Sequence, residues 1–151
     1  MKAAYLAGPM RGKEYLNAPA FAAAAAKLRL SGFHVISPPE EDLAAGEAYL
    51  MSAEPDQVFT EKSLARVILR DCGIICHDID TLALLPGWAK SKGARVEFAL
   101  SEFMSRDVIN STGERESLAE FKRTLAMQLL REAVILEIEE KQALTDKAGT
   151  V

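Results

Sequence analysis

The sequence predicts one α/β domain built on a parallel sheet. Short apolar runs occur at residues 3–7 (AAYLA), 33–36 (FHVI) and 81–85 (TLALL). Each run stops at a Gly or Pro breaker, which is typical of short buried strands. Helix-forming segments separate the runs, and this alternation favours parallel strands joined by right-handed crossovers.

Three helices are predicted, two between these strands and one after the third. Residues 15–30 contain the alanine-rich stretch AFAAAAAKLRL, which is a strong helix former and ends at Ser31-Gly32. Residues 61–77 place apolar side chains at helical spacing, and a further helix begins near Ser91. A weak fourth strand at Val108-Ile109 completes a sheet of about four to five strands.

Two long segments lie outside this alternation. Residues 38–60 mix Glu, Gly, Pro and Ser with scattered apolar residues, which predicts a long excursion with one short helix that serves as a substrate lid. Residues 111–143 predict a long C-terminal helix whose apolar face contacts another subunit, followed by a flexible tail over 144–151. We therefore expect a catalytic domain over 1–110 in a homodimer or larger homo-oligomer.

Composition excludes several classes of protein. The net charge is -4 over 151 residues without a basic block, so a nucleic-acid polymer is not an expected partner. No long apolar segment or secretory leader is recognised, which favours a soluble cytoplasmic protein without membrane contact. Cys72 and Cys76 form neither a zinc-site pattern nor a disulfide framework, and we interpret them as buried reduced thiols.

The candidate site follows from two motifs, since open parallel sheets bind ligands beyond the carboxyl ends of their strands. The motif YLAGPMRG leaves the first strand and LLPGWAKSKGARVE leaves the third. Glu97 lies one to two helical turns beyond the second loop, where the helix dipole is expected to keep its carboxylate ionised and available as a nucleophile. Asp71, on the helix before the third strand, is the candidate second carboxylate, and a pair of carboxylates at one site is typical of enzymes that cleave glycosidic bonds.

Other residues of the two motifs suit substrate binding. The Tyr5 hydroxyl is placed to hydrogen-bond and orient a carboxylate. Gly8, Arg11, Ser91 and Gly93 suit close backbone approach, charge pairing and hydroxyl donation around a phosphate.

Several of these residues also have a purely structural interpretation. Glu97 is then an ordinary solvated helix residue, and Asp71 is an exposed residue or an ion-pair partner of Arg70. Trp88 either stacks on a base or anchors its loop. Asp80 is expected to cap the turn between helix and strand.

The two motifs resemble those of the nucleoside 2-deoxyribosyltransferase superfamily, especially its small phage and bacterial members. The resemblance covers roughly residues 3–105 and depends on YLAGPMRG and an LPGWxxSxGAxxE pattern in this order. It implies a Rossmann-like (flavodoxin-like) fold, a nucleophile at Glu97 that forms a covalent deoxyribosyl intermediate, and an assisting Asp at Asp71. Relatives place that Asp one residue closer to the Asp that opens the third strand, so Asp78 is an alternative candidate.

The resemblance also bears on the substrate. Six residues before the nucleophile, relatives that act on free nucleosides have Asp, whereas those that hydrolyse deoxynucleoside 5'-monophosphates have Ser, as here at Ser91. A carboxylate about 4 Å from a phosphate would be repelled by about 4 kcal/mol at an effective dielectric of about 20. Arg11-Gly12 resembles the first loop of the monophosphate hydrolases, while Pro9 resembles that of the transferases.

The predicted function is an N-glycosidase of (2'-deoxy)nucleoside 5'-monophosphates that uses a covalent glycosyl intermediate on Glu97 and no cofactor or metal. Two alternatives stay open at this point. One is a nucleoside 2-deoxyribosyltransferase that exchanges bases, and the other is a nucleotide-binding module without turnover. The sequence leaves open which base is recognised and whether the sugar is ribose or deoxyribose.

Overall fold

A four-stranded parallel sheet organises the chain, of which the computed structural model describes residues 1–47 and 61–115. The elements in chain order are β1 (Ala3–Ala7), α1 (Ala18–Leu30), β2 (His34–Ile36), α2 (Pro38–Ala44), α3 (Glu61–His77), β3 (Thr81–Leu84), α4 (Lys92–Phe103) and β4 (Asp107–Asn110). The strand order is β2-β1-β3-β4 and every pair is parallel. The predicted Rossmann-like α/β class, including its weak fourth strand, is confirmed. Within the described ranges, no helix has the length and apolar character that crossing a membrane requires.

Side chains alternate between the two faces of the sheet. Leu6, Ala83 and Ile109 are register partners and belong to one apolar core that includes buried residues of α1. Those α1 residues are Phe21, Ala24, Ala25 and Leu28. Because successive strand residues point to opposite faces, Tyr5 and its partner Leu82 lie on the other face, toward α3 and α4.

The first helix begins later than predicted, at Ala18 instead of residue 15. Tyr15, Leu16 and Asn17 have φ angles of 48, 51 and 62°, a left-handed turn that is incompatible with a right-handed helix. The Asn17 side chain stabilises this turn by donating from Nδ2 to the carbonyl of Pro9 at 2.8 Å. Proline is tolerated in the first turn of a helix but breaks its interior, so Pro19 is the sequence signal that sets the true start.

The two long segments are only partly described. α2 is the short helix that was expected in the 38–60 excursion, and the rest of the predicted lid lies outside the described residues. The predicted C-terminal helix and tail also lie outside them from residue 116 onward. Residues 111–115 do not begin that helix, because they form a turn closed by the Asn110 side chain, and Arg115 makes an isolated antiparallel bridge to Ile109.

Gly8 allows the chain to pass close to the end of β3 where the first motif leaves β1. A Cβ placed on Gly8 would lie 2.8 Å from Cβ of the buried Leu85, and neither atom can swing away from its backbone. We expect Gly8→Ala to lower the free energy of unfolding by about 1–3 kcal/mol, a usual cost of overpacking. Thermal or denaturant unfolding measures this effect.

The matched control for this substitution is Gly73→Ala in α3. An added Cβ there meets no atom within 4 Å, so it should stabilise the helix by about 0.5–1 kcal/mol. A Gly8→Ala variant as stable as the unmodified protein would show that the two strand ends are not closely packed.

Candidate carboxylate site

Tyr5 is the central residue of the candidate site. It occupies the middle of β1 and is 0% exposed. Its hydroxyl donates a hydrogen bond to Glu97 Oε1 at 3.3 Å and is also hydrogen-bonded to the Asp71 carboxylate. Burial, followed by the negative charges of Glu97 and Asp71, raises the Tyr5 pKa well above its usual value. The hydroxyl therefore stays protonated and bridges two carboxyl groups.

The start of α4 fixes the position of Glu97. Ser91 caps the helix, since its Oγ accepts a hydrogen bond from the Ala94 amide at 3.3 Å. The buried Phe98 holds the rotation of the helix by packing against Trp88, with ring centroids 4.9 Å apart. With the helix fixed in this rotation, the side chain of Glu97 reaches Tyr5 on the sheet.

The protonation of Glu97 differs from the expectation based on the helix dipole. Burial first, and the Asp71 charge second, raise the Glu97 pKa to about 8, although the Tyr5 hydrogen bond acts in the opposite direction. The dipole acts mainly within the first turn, and Glu97 lies beyond it. Loss of hydration and repulsion by a like charge therefore decide the outcome, and Glu97 is protonated at neutral pH.

Asp71 faces the same hydroxyl from α3. It is only 6% exposed, which excludes its interpretation as an exposed helix residue. Burial raises the Asp71 pKa, while the charge and hydrogen bonds of Arg70 lower it. Nε and Nη2 of Arg70 both donate to Asp71 Oδ1, at 2.9 and 2.8 Å. Asp71 is thus both the partner of Arg70 and a neighbour of Glu97.

Sequence reasoning missed Asp42 as a member of this polar cluster. Arg70 Nη2 lies 2.7 Å from Asp42 Oδ1 in an ion pair, although the contact departs from hydrogen-bond geometry. Asp42 lies on α2 and is 1% exposed. It belongs to an acidic run with Glu40 and Glu41, and a seven-residue helix is too short for periodicity to show which of the three faces inward. Arg70 itself was recognised only as a possible partner of Asp71.

The two motif loops are neighbours at the carboxyl edge of the sheet. Gly8 lies against Leu85, and a Cβ on Gly87 would lie 3.7 Å from Pro9 Cγ. The loop residues named by the sequence are placed at this edge: Gly8 and Pro9 after β1, the exposed Arg11 and Gly12 next in the chain, Trp88 after β3, and Ser91 and Gly93 at the start of α4. Trp88 is buried against Phe98, which is the geometry of a loop anchor.

Asp78 and Asp80 lie away from the hydroxyl bridge. Asp78 is exposed and directly follows α3, whose last turn leads into the amino end of β3. Asp80 Oδ2 accepts a hydrogen bond from the Ala3 amide at 2.9 Å, so this carboxylate secures the start of β1. Among the described residues, no group of three or more His, Cys, Asp or Glu side chains is arranged to hold a metal ion.

The fold and the cluster define an α/β protein with a Rossmann-like parallel sheet and two carboxyl groups bridged by a buried tyrosine. A model of the family described as a domain of unknown function (DUF4406) matches residues 2–110, and the chain belongs to this family. A comparison with curated proteins finds no significant match. The matched range contains Tyr5, Asp71 and Glu97, together with all four strands.

Proposed function

We propose that the protein hydrolyses the N-glycosidic bond of (2'-deoxy)nucleoside 5'-monophosphates by double displacement on Glu97. The observation that carries this proposal is the Tyr5 hydroxyl between the carboxyl groups of Glu97 and Asp71. Glycosidic cleavage uses two carboxyl groups in different protonation states, and the environments of this pair separate their proton affinities. The resemblance to the deoxyribosyltransferase superfamily supports the same pair of residues.

Glu97 and Asp71 share a single proton through Tyr5, and its transfer brings both groups into their reactive protonation states. In the resting state the proton is on Glu97, whose pKa is about 8, and the Arg70 guanidinium favours ionised Asp71. The Tyr5 hydroxyl first turns its hydrogen from Glu97 to Asp71; Glu97 then gives its proton to the Tyr5 oxygen while the Tyr5 hydroxyl proton passes to Asp71. This transfer generates a nucleophilic carboxylate and a general acid together, without exchange of protons with solvent.

The two displacements then proceed as follows. A Glu97 oxygen bonds to C1', the bond from C1' to the base nitrogen breaks, and the base takes the electron pair and the Asp71 proton. In the second step Asp71 removes a proton from water, whose oxygen bonds to C1' as the bond to Glu97 breaks. The Asp71 proton returns to Glu97 through Tyr5, which restores the resting state.

The charges of the cluster suit a cationic transition state. While Asp71 carries the shared proton, Asp42 and ionised Glu97 outnumber Arg70, so the cluster is net negative where positive charge develops at C1'. A 2'-deoxyribosyl group is favoured because it lacks the electron-withdrawing 2'-hydroxyl. The positive charge that develops at C1' stabilises the ionised form of Glu97, which burial alone disfavours.

The amino end of α4 suits the 5'-phosphate. Ser91 Oγ accepts from Ala94, which leaves its hydroxyl hydrogen free to be donated to a phosphate oxygen. Lys90 and Lys92 flank it and are exposed. Glu97 is six positions after Ser91, a rise of about 9 Å along a helix, which a sugar and its 5'-phosphate can bridge. The helix dipole also favours an anion at this end.

Chromatographic detection of free base tests the proposal. The full chain is incubated with each deoxynucleoside, its 5'-monophosphate and the matching ribonucleotide. We expect release of base and deoxyribose 5-phosphate from one or more deoxynucleoside 5'-monophosphates, with weaker release from free nucleosides. If a new nucleoside forms only when a second base is added, the activity is base exchange. Nucleotide binding without release from any substrate would instead identify a binding module.

The pH dependence tests the shared proton. Because the active site needs one proton in the pair, kcat/KM should fall about tenfold per pH unit above the Glu97 pKa of about 8. A simple ionised nucleophile would give the opposite sign, with kcat/KM rising through pH 8. The alkaline side is the informative one, since the substrate phosphate itself titrates near pH 6.

The control for this measurement is reversibility. Protein held at each pH and then assayed at pH 7 should recover full activity. A kcat/KM that increases between pH 7 and 9 would refute the shared-proton mechanism.

A cytoplasmic homo-oligomer remains our expectation for the whole protein. The prediction of an oligomer depends on the apolar pattern of residues 116–143, and light scattering on the purified full chain determines its subunit number.

A further inference from the structure

Arg70 contacts two buried carboxylates from two different helices. Both Nε and Nη2 donate to Asp71 Oδ1, and Nη2 is also 2.7 Å from Asp42 Oδ1. Adjacent residues on a helix point in different directions, so the guanidinium must fold back to reach Asp71. Asp42 on α2 holds it there from the other side. The guanidinium is thus fixed on one member of the carboxyl pair, while Glu97 is linked to the same network through Tyr5.

We propose that Arg70 is a positioning residue that keeps the shared proton on Glu97 and leaves Asp71 as the proton acceptor. This inference deepens the proposed function and rests on the same site. Without Arg70, two buried carboxyl groups would flank one hydroxyl with similar proton affinities. The proton would then be divided between them, and neither group would have a single role.

Among residues 1–47 and 61–115, the titratable groups that face the pair come from four elements: β1, α2, α3 and α4. They are Tyr5 from β1, Asp42 from α2, Arg70 and Cys72 from α3, and Asp71 and Glu97 themselves. Burial raises the pKa of the Cys72 thiol and of the Tyr5 hydroxyl, so both stay neutral over the range in which the carboxyls titrate. Arg70 is therefore the positive charge in contact with this set.

Carbon-13 NMR of the side-chain carboxyls tests the inference without substrate. The Glu97 and Asp71 resonances are assigned by their loss in Glu97→Gln and Asp71→Asn. In the unmodified protein each should titrate in one step, with Glu97 near pH 8. In Arg70→Gln the resonance of each carboxyl should titrate in two steps. The difference between the apparent pKa values of Glu97 and Asp71 should decrease by at least about one unit, which is a tenfold loss of the preference of the proton for Glu97.

Two further variants keep the experiment decisive. Arg70→Lys retains the charge but not the two-nitrogen contact with one oxygen, so the separation should narrow by less than in Arg70→Gln. Arg66→Gln is the matched control, because Arg66 lies one turn earlier on α3 and its Nε and Nη2 also bind one carboxylate, that of Glu47, through its two oxygens at 3.0 and 2.7 Å. It should leave both titrations unchanged. If Arg70→Gln does not fold, the pKa difference between Glu97 and Asp71 is compared in Arg70→Lys and Arg66→Gln. A smaller difference in Arg70→Lys alone supports the positioning role, and no decrease overturns it.

The outcomes separate this inference from the proposed function. An unchanged separation in Arg70→Gln, or equal narrowing in Arg66→Gln, would overturn the positioning role. If Arg70→Gln narrows the separation as expected but no nucleotide releases base, the positioning role stands and the glycosidase proposal fails. If the unmodified protein releases base but the titration is unaltered in Arg70→Gln, the glycosidase proposal stands and the positioning role fails.

Discussion

Glu97→Gln is expected to reduce kcat/KM for the best deoxynucleoside 5'-monophosphate at least about 10³-fold, because it removes the nucleophile of the proposed double displacement. Glutamine keeps the volume of the side chain, and its amide oxygen can still accept the Tyr5 hydrogen bond. Substrate binding should therefore persist while turnover is lost. Base release under saturating and limiting substrate separates the two effects.

The covalent intermediate gives this variant a second measurement. Rapid acid quenching followed by intact-mass analysis should detect a glycosylated form of the unmodified protein and none of Glu97→Gln. Glu102→Gln, on the same helix but outside the carboxylate cluster, is the control and should keep normal turnover. Full activity of Glu97→Gln would exclude Glu97 as the nucleophile, whatever the substrate.

The sequence predicted the elements that place Tyr5, Asp71 and Glu97. Apolar runs with breakers located the strands, and the parallel topology then brought the ends of β1 and β3 together. Tyr5 and Glu97 are 92 positions apart in the chain, yet their side chains are hydrogen-bonded. The two side chains meet because both belong to motifs that flank the carboxyl ends of adjacent strands.

The electrostatic properties of the site could not be predicted in the same way. The sequence showed Glu97 near a helix start, which favours ionisation, but not that it would be buried beside Asp71, which raises its pKa to about 8. Arg70 and Asp42 meet only because α2 and α3 are packed together. The sequence pattern predicts which helix carries each charged residue. Tertiary packing determines which of these residues come together in an environment of low dielectric constant.

Tyr5→Phe is the sharpest test of the hydroxyl bridge. Removing one oxygen eliminates the proton path between Glu97 and Asp71, and we expect kcat to fall about 10²- to 10⁴-fold, the range of general acid–base catalysis. KM should change little, because Tyr5 is fully buried in β1 and the proposed phosphate site is at the amino end of α4. Initial rates over a substrate series at pH 7 separate kcat from KM.

The same variant should also displace the pH profile. The Tyr5 hydrogen bond lowers the Glu97 pKa, so its loss should move the alkaline fall in kcat/KM to higher pH. Tyr15→Phe is the matched control, since Tyr15 is 74% exposed and undergoes the same chemical change outside the cluster. If Tyr5→Phe retained normal kcat, or if Tyr15→Phe were equally impaired, the hydroxyl bridge would have no part in turnover. A loss of kcat together with the displaced pH profile would show that the Tyr5 hydroxyl both sets the titration of Glu97 and takes part in turnover.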